Sequence, residues 1–185
     1  SDAFRLNQGL NIAKDPISLA RILHNSVLEH LASATAKSMT IQLKPTELKA
    51  MADPNRLRRV VDNLVSNAIK YSPPGSTIQI WVNQIDNVAR ICVQDEGPGI
   101  PPEERHLLFT EFGKLSTRPT GEETSTGLGL WIVKMFVEAM GGRVGMLDGP
   151  EKGTIFWVDL PITRTIDVKI LETQEAEIVI NYEAS

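Results

Sequence analysis

The stretch VARICVQDEGPGI, residues 88–100, joins a strand pattern to an acidic residue and a glycine-rich turn. With the period of two that strands follow, Ile91, Val93 and Asp95 fall on one face, so a carboxylate lies on the side where the core is expected. Burying an unpaired carboxylate is costly, and two glycines follow it closely. The stretch therefore predicts a site at which the backbone comes close to another group.

Composition limits the class of protein. The 185 residues carry a formal net charge of −4 with no run of Lys or Arg, which argues against nucleic acid or an anionic membrane as the main partner. A single cysteine, Cys92, excludes an intramolecular disulfide framework and favours a reducing compartment. No apolar stretch approaches a membrane span, and the first residues lack a signal-peptide layout. We expect a soluble, cytoplasmic chain, and membrane anchoring of the full-length protein stays open.

Hydrophobic periodicity and turn residues predict helices interleaved with hairpin-linked strands. The predicted helices cover residues 16–36, 54–71 and 127–140, with a short helical piece through His106 and Phe109. The predicted strands cover residues 39–43, 76–82, 88–95, 143–147 and 154–161. This order predicts an α+β fold, a two-layer sandwich in which helices cover one face of a mixed sheet.

The helix predicted at 54–71 has a polar margin beside its apolar face. Seven apolar residues form a broad arc on the helical wheel: Leu57, Val60, Val61, Leu64, Val65, Ala68 and Ile69. Asn63, Asn67 and Lys70 cluster along one edge of that arc. They are either a satisfied polar edge, or an oxygen ligand for Mg²⁺ with a cation for phosphate. The helix alone leaves both interpretations open.

The segment TGLGL, residues 126–130, places glycines where a loop turns into a helix. Exposed N–H groups and the positive end of the helix make such a start an anion site, although the signal is weak alone. The G-x-x-x-x-G-K-[ST] and G-x-G-x-x-G motifs do not occur, nor does the G-x-S-x-G elbow. Three scattered histidines and one cysteine do not make a zinc site.

Four segments in order resemble the ATP-binding catalytic domain of sensor histidine kinases, the Bergerat type shared with gyrase B, Hsp90 and MutL. NLVSNAIKYS resembles the N box, DEGPGI the first glycine box, LFTEFGKL the F box and TGLGL the second glycine box. GTIFWVDLP resembles the closing strand of that family. Each motif is modest, but the ordered set over residues 57–142 is highly specific.

The resemblance implies that the bound group is ATP with Mg²⁺. Asp95 would accept a hydrogen bond from the adenine amino group. Gly97 and Gly99 would leave room for the base, Ile100 would cover it, and Tyr71 would border the nucleotide.

At the phosphate end, the resemblance assigns Asn67 to Mg²⁺, with Asn63 and Lys70 supporting the phosphates. The second glycine box adds Thr126, Gly127, Leu128 and Gly129 to the nucleotide site. Residues 101–126 would form the ATP lid, in which Lys114 and Arg118 are candidates for contact with the γ-phosphate. A solvated lid charge is the alternative for Arg118.

The residue at position 63, Asn63 in this chain, distinguishes the classes of enzyme within this superfamily. The superfamily's ATP hydrolases and serine kinases carry a glutamate base at this position, and an amide cannot take a proton. The resemblance thus implies transfer of the γ-phosphoryl group to a histidine on a separate dimerisation domain. A degenerate nucleotide-sensing module and an anti-sigma-type serine kinase are the alternatives.

The phosphoacceptor motif does not occur, because His24, His30 and His106 have the wrong neighbours. We expect a fragment: residues 1–16 end a dimerisation hairpin and its linker, residues 17–162 form the catalytic domain, and residues 163–185 are an extension without a functional account. The resemblance implies two partners, the protein's own dimerisation domain and the receiver domain of a response regulator. The full-length protein would be a homodimer.

Overall fold

The computed structural model describes residues 14–111, 113 and 129–162. Its helices are α1 (Leu19–Ala36), α2 (Pro54–Tyr71) and α3 (Gly129–Ala139), with a 3-10 helix at Pro102–Leu107. Its strands are β1 (Asp15–Ser18), β2 (Thr40–Leu43), β3 (Lys49–Ala52), β4 (Thr77–Ile85), β5 (Val88–Gln94), β6 (Arg143–Asp148) and β7 (Thr154–Pro161).

Five strands form one mixed sheet in the order β2-β4-β5-β7-β6. β2 runs parallel to β4, and the other neighbouring pairs are antiparallel. In the register of the central strands, Ile91 lies between Val82 and Val158. Buried side chains of all three helices share one core with Ile91 and Val158. The predicted α+β sandwich is confirmed.

The helix α2 forms as the sequence predicts. Asp53 caps it, since its Oδ1 accepts hydrogen bonds from the backbone amides of Asn55 at 3.0 Å and Arg56 at 3.1 Å. Pro54 occupies the first turn, where its missing N–H costs nothing. All seven residues of the predicted apolar arc are buried. The polar margin thereby has a fixed position relative to the core.

The prediction of a helix over residues 16–36 was wrong at its start. Residues 15–18 form β1, which pairs antiparallel with β3, a strand that the sequence did not predict. The helix begins at Leu19, with Ser18 as its N-cap. A four-residue strand shows too little alternation to be distinguished from a helical turn, and its pairing is decided by a partner distant in sequence. Leu31, predicted to face the core, is 51% exposed.

The predicted turns are confirmed. Asp86, between β4 and β5, has a positive φ of 49°, and Gly141 closes α3 with φ of +83°. The hairpin of β6 and β7 forms in full register from Arg143 opposite Asp159 to Asp148 opposite Thr154. The short helical piece is the 3-10 helix, which ends at Leu107 rather than Phe109. Within the described ranges, no helix is both long enough and apolar enough to cross a membrane.

The other face of the sheet carries an aromatic row across four strands. In cross-strand order it consists of Trp81, Cys92, Trp157 and Gly145. Glycine is required at the end of the row, because a Cβ at Gly145 would overlap the Trp157 ring. The Arg90 guanidinium lies 4.0 Å from the centre of the same ring and donates to both carboxylate oxygens of Asp159, at 2.7 and 2.9 Å. Burial raises the pKa of the Cys92 thiol to about 11, so it stays protonated.

The cap of α2 gives a test of the fold. Asp53→Ala should lower the free energy of unfolding by about 1–2 kcal/mol, because two amides lose their acceptor. Asp53→Asn keeps the cap and loses only the ion pair with Arg56, whose Nη1 lies 2.8 Å from Oδ2, so its loss should be smaller. Urea unfolding of both variants measures the difference. Equal losses would show that the ion pair, and not the cap, is the main contribution of Asp53.

Candidate functional site

A cavity of about 1030 Å³ opens at one end of the sheet. Tyr71 and Pro73 line it from the end of α2, and residues 96–101 line it from the loop that follows β5. The remaining wall is the turn between β6 and β7, including Asp148 and Gly153. Three segments that are distant in sequence therefore surround one space, which is large enough for a nucleotide-sized ligand.

Asp95 lies immediately behind this wall. Its side chain is 5% exposed, and its Oδ1 accepts hydrogen bonds from the backbone amides of Gly97 at 2.9 Å and Thr154 at 3.1 Å. Among the described residues, none donates a hydrogen bond to Oδ2. Burial raises the pKa of Asp95 from 3.8 to about 6, and the two amide hydrogen bonds oppose that rise. At neutral pH the group is a buried carboxylate with one oxygen committed to the protein.

The glycines around Asp95 are required by close approach or by backbone angle. A Cβ on Gly97 would come 2.9 Å from the carbonyl oxygen of Tyr71 and 3.0 Å from Asp95 Oδ1. Gly99 has φ of +77°, which side chains disfavour. Gly153 was not among the predicted site residues, yet a Cβ there would overlap the backbone of Asp95. The signal for it was its place before Thr154, in the segment GTIFWVDLP.

The amide side chains of α2 face the start of α3. A Cβ on Gly129 would come 3.3 Å from Asn63 Oδ1 and 3.9 Å from Asn67 Oδ1. Asn63 and Asn67 are half-buried one turn apart on α2, so packing against α3 holds both at a helix N-terminus. Two uncharged amide oxygens and the positive end of a helix are thereby brought together.

The remaining predicted residues divide into two groups. Tyr71 and Ile100 line the cavity, and Lys70 is half-buried in the last turn of α2. Five predicted site residues lie outside the described residues: Lys114, Arg118, Thr126, Gly127 and Leu128.

Two charged residues support the cavity wall and were not predicted. Glu96 accepts a hydrogen bond from the backbone amide of Thr77 at 2.8 Å, so it joins the end of β5 to the start of β4. Arg105 donates to the carbonyl oxygen of Ile100 at 3.2 Å and to Asp148 at 2.7 Å. It joins the loop after β5 to the end of β6. The contacts of Glu96 with Thr77 and of Arg105 with Asp148 join residues that are distant in sequence. Of the two charged residues, only Glu96 lay within a segment that the sequence analysis singled out, DEGPGI.

Comparison with known proteins agrees with this geometry. A family model described as "Histidine kinase-, DNA gyrase B-, and HSP90-like ATPase" matches residues 52–164, more than half of the chain. The chain belongs to this family. The resemblance found in the sequence is confirmed, and the cavity, Asp95 and the start of α3 all lie within the matched ATPase domain.

The relatives are sensor kinases. Sensor histidine kinase GacS of Pseudomonas protegens is 32% identical over 159 residues, which cover 82% of this chain and 17% of that protein. Adaptive-response sensory kinase SasA of Synechococcus sp. is 32% identical over 149 residues, which cover 79% of this chain and 39% of that protein. The chain thus spans well under half the length of these curated relatives.

Solved structures give the same family. The mycobacterial sensor histidine kinase MprB matches with a TM-score of 0.70 at 31% identity, over 82% of this chain and 100% of that one. Full-length ShkA in complex with AMPPNP matches with a TM-score of 0.73 at 26% identity, over 88% of this chain and 34% of that one.

The raised pKa of Asp95 predicts how the stability of this domain depends on pH. Its folded-state pKa, about 6, exceeds the 3.8 of the unfolded chain, so ionisation opposes folding. Stability should therefore fall as pH rises from about 4 to 6 and stay level above that. Asp95→Asn should not show this decline. Between pH 4.5 and pH 7.5, the free energy of unfolding of the variant should therefore rise by about 1–3 kcal/mol relative to that of the wild type.

Urea unfolding of wild type and Asp95→Asn at the two pH values isolates Asp95, since every other titrating group is common to both chains. If the free energies of unfolding of the two chains differed by the same amount at both pH values, burial of Asp95 would not oppose its ionisation.

Proposed function

We propose that this domain binds Mg-ATP and donates the γ-phosphoryl group to a histidine on a separate dimerisation domain, in two-component signal transduction. The observation that carries the proposal is the buried Asp95 carboxylate: Oδ1 accepts two backbone amides, and no described donor lies on Oδ2. An acceptor oxygen fixed in this way beside a cavity suits the amino group of a ligand.

Adenine supplies such a donor through its exocyclic amino group, whereas guanine presents a carbonyl oxygen at that position. Gly97 and Gly99 would leave room for the base, and Ile100 and Tyr71, which line the cavity, would border it. Because Asp95 is held by backbone amides, its orientation does not depend on the ligand. Preorganisation of this kind reduces the entropy lost on binding.

The phosphate end would lie at α3. The amide oxygen of Asn67 fits Mg²⁺, which takes oxygen ligands and keeps several waters when phosphate oxygens also bind it. Within residues 14–111, 113 and 129–162, no group of three or more His, Cys, Asp or Glu side chains could hold a metal. We assign the Mg²⁺ ion to Asn67 and the nucleotide together, with Asn63 and Lys70 supporting the phosphates. The bound ion would neutralise phosphate charge.

The start of α3 would complete the phosphate site. Backbone amides in the first turn of a helix lack intrahelical acceptors, so Gly129 would offer a donor to the phosphates. We assign Thr126, Gly127 and Leu128, which precede α3 in the sequence, to the same site. We further assign Lys114 and Arg118 to the γ-phosphate, since cations there would stabilise the charge of the transferring group.

The nature of the phosphoryl acceptor is inferred from Asn63, an amide that cannot act as a catalytic base. Asn63 cannot remove a proton from water or from a serine hydroxyl, so the chain itself would bind and orient ATP while the acceptor brings its own nucleophile. The relatives that match are sensor histidine kinases, which supports an imidazole acceptor on a dimerisation domain. A receiver domain of a response regulator and a homodimeric full-length protein belong to the same proposal.

Base selectivity tests the role of Asp95. ATP and ADP should bind, and GTP should bind at least about 30-fold more weakly, because its carbonyl oxygen would face a buried carboxylate at a cost of about 2 kcal/mol or more. Isothermal titration with the three nucleotides measures this. Comparable affinity for GTP would exclude adenine recognition by Asp95.

Phosphoryl transfer tests the reaction. Incubated with γ-labelled ATP and Mg²⁺, this chain should not label itself, but it should place an acid-labile label on dimerisation helices supplied as a separate chain. The rate should rise with the concentration of those helices, because the covalent tether is lost. Asn67→Ala should abolish transfer and reduce the Mg²⁺ dependence of ATP binding while the domain stays folded. Leu31→Ala, at an exposed position of α1, is the matched control.

The outcomes separate the alternatives. Acid-stable label on this chain would indicate a serine or threonine kinase. Tight ATP binding without label on either chain would favour a nucleotide-sensing module.

A further inference from the structure

Lys37 joins the end of one helix to the end of another. It is the first residue after α1, and its Nζ donates to the carbonyl oxygens of Ile69 at 2.6 Å and Lys70 at 3.4 Å in the last turn of α2. The side chain is half-buried. A cation is thereby held at the C-terminus of the helix that carries Asn67.

The Lys37 ammonium supplies hydrogen-bond donors to carbonyl groups at the end of α2. The last carbonyl groups of an α-helix have no intrahelical donor. In α2, the amide of Ser72 takes the oxygen of Ala68 at 3.2 Å, and the next two oxygens in sequence are those that Lys37 binds. Its charge also lies at the negative end of the helix dipole, where a cation is stabilising. The last turn of α2 is thus fixed from outside the helix.

The backbone of Lys37 holds the loop that follows. Its carbonyl oxygen accepts a hydrogen bond from the amide of Gly75 at 2.9 Å. The segment from Ile69 to Gly75 is therefore attached to Lys37 at both ends. That segment contains Lys70, Tyr71 and Pro73, of which the last two line the cavity.

We propose that Lys37 is a positioning residue for the phosphate end of the nucleotide site, an inference that rests on the proposed function. Lys37 does not line the cavity. It acts through the last turn of α2, where it sets the placement of Lys70 and Tyr71 and, one turn earlier, of Asn67. Asp95 lies after β5 and is held by amides of other segments. Asn67 and Lys70 would serve the phosphates, whereas Tyr71 is one of several residues that would border the base. Loss of Lys37 should therefore weaken the binding of the phosphates more than that of the base.

The test compares two ligands, Mg-ATP and adenosine, on the whole chain. Lys37→Met keeps the length of the side chain and removes its charge and donors. The dissociation constant of Mg-ATP should rise about tenfold, the factor that corresponds to losing one hydrogen bond between a displaced Lys70 ammonium and the phosphates. The dissociation constant of adenosine should change less than about twofold. Lys37→Arg should restore most of the affinity for Mg-ATP. Lys49→Met, at an exposed lysine of β3, is the charge-matched control and should resemble the wild type.

Titration is carried out at a temperature at which circular dichroism shows each variant to be folded. The inference would be wrong, and the proposed function untouched, if Lys37→Met bound Mg-ATP with wild-type affinity. It would also be wrong if the variant lost the same factor in affinity for both ligands, because Lys37 would then have only a structural role. A wild-type chain that bound neither ligand would overturn the proposed function as well.

Discussion

The site is organised by one carboxylate that the fold buries at a cost. Asp95 follows the last residue of the central strand β5 and is buried, with two backbone amides donating to one of its oxygens, and burial keeps its pKa near 6. Those amides come from the loop after β5 and from the start of β7. The carboxylate can be kept only while both segments stay in register. The glycines at 97 and 153 follow from this, because any side chain there would collide with the Asp95 region.

A second layer of polar contacts holds those segments in place. Glu96 binds the first amide of β4, and Arg105 joins Ile100 to the end of β6. The Arg105 contact to Asp148 is well exposed, at 34% and 66% for the two side chains, so it contributes geometry more than free energy. The cavity wall is thus built from loops whose ends are fixed by the sheet.

The helix α2 serves both the core and the site. One face is buried in the core, and its margin carries Asn63 and Asn67 toward the start of α3. Because the two faces belong to one rigid element, any rotation that moved the asparagines would also expose apolar surface, at about 25 cal/mol for each Å². Capping by Asp53 at one end and contacts from Lys37 at the other hold the helix along its axis. Packing therefore supplies the precision that side chains on a loop would lack.

The sequence by itself determined what is periodic or local. The apolar arc of α2, its Asp-Pro start, the strand that ends in Asp95 and the ordered glycine segments all follow from spacing within about twenty residues, the range over which a helix or hairpin repeats. Only the tertiary structure decided the pairing of β1 with β3, the exposure of Leu31, and the parts played by Glu96, Arg105, Gly153 and Lys37. Each of these depends on a partner far away in the chain, and a contact of that kind leaves no period in the sequence around either residue.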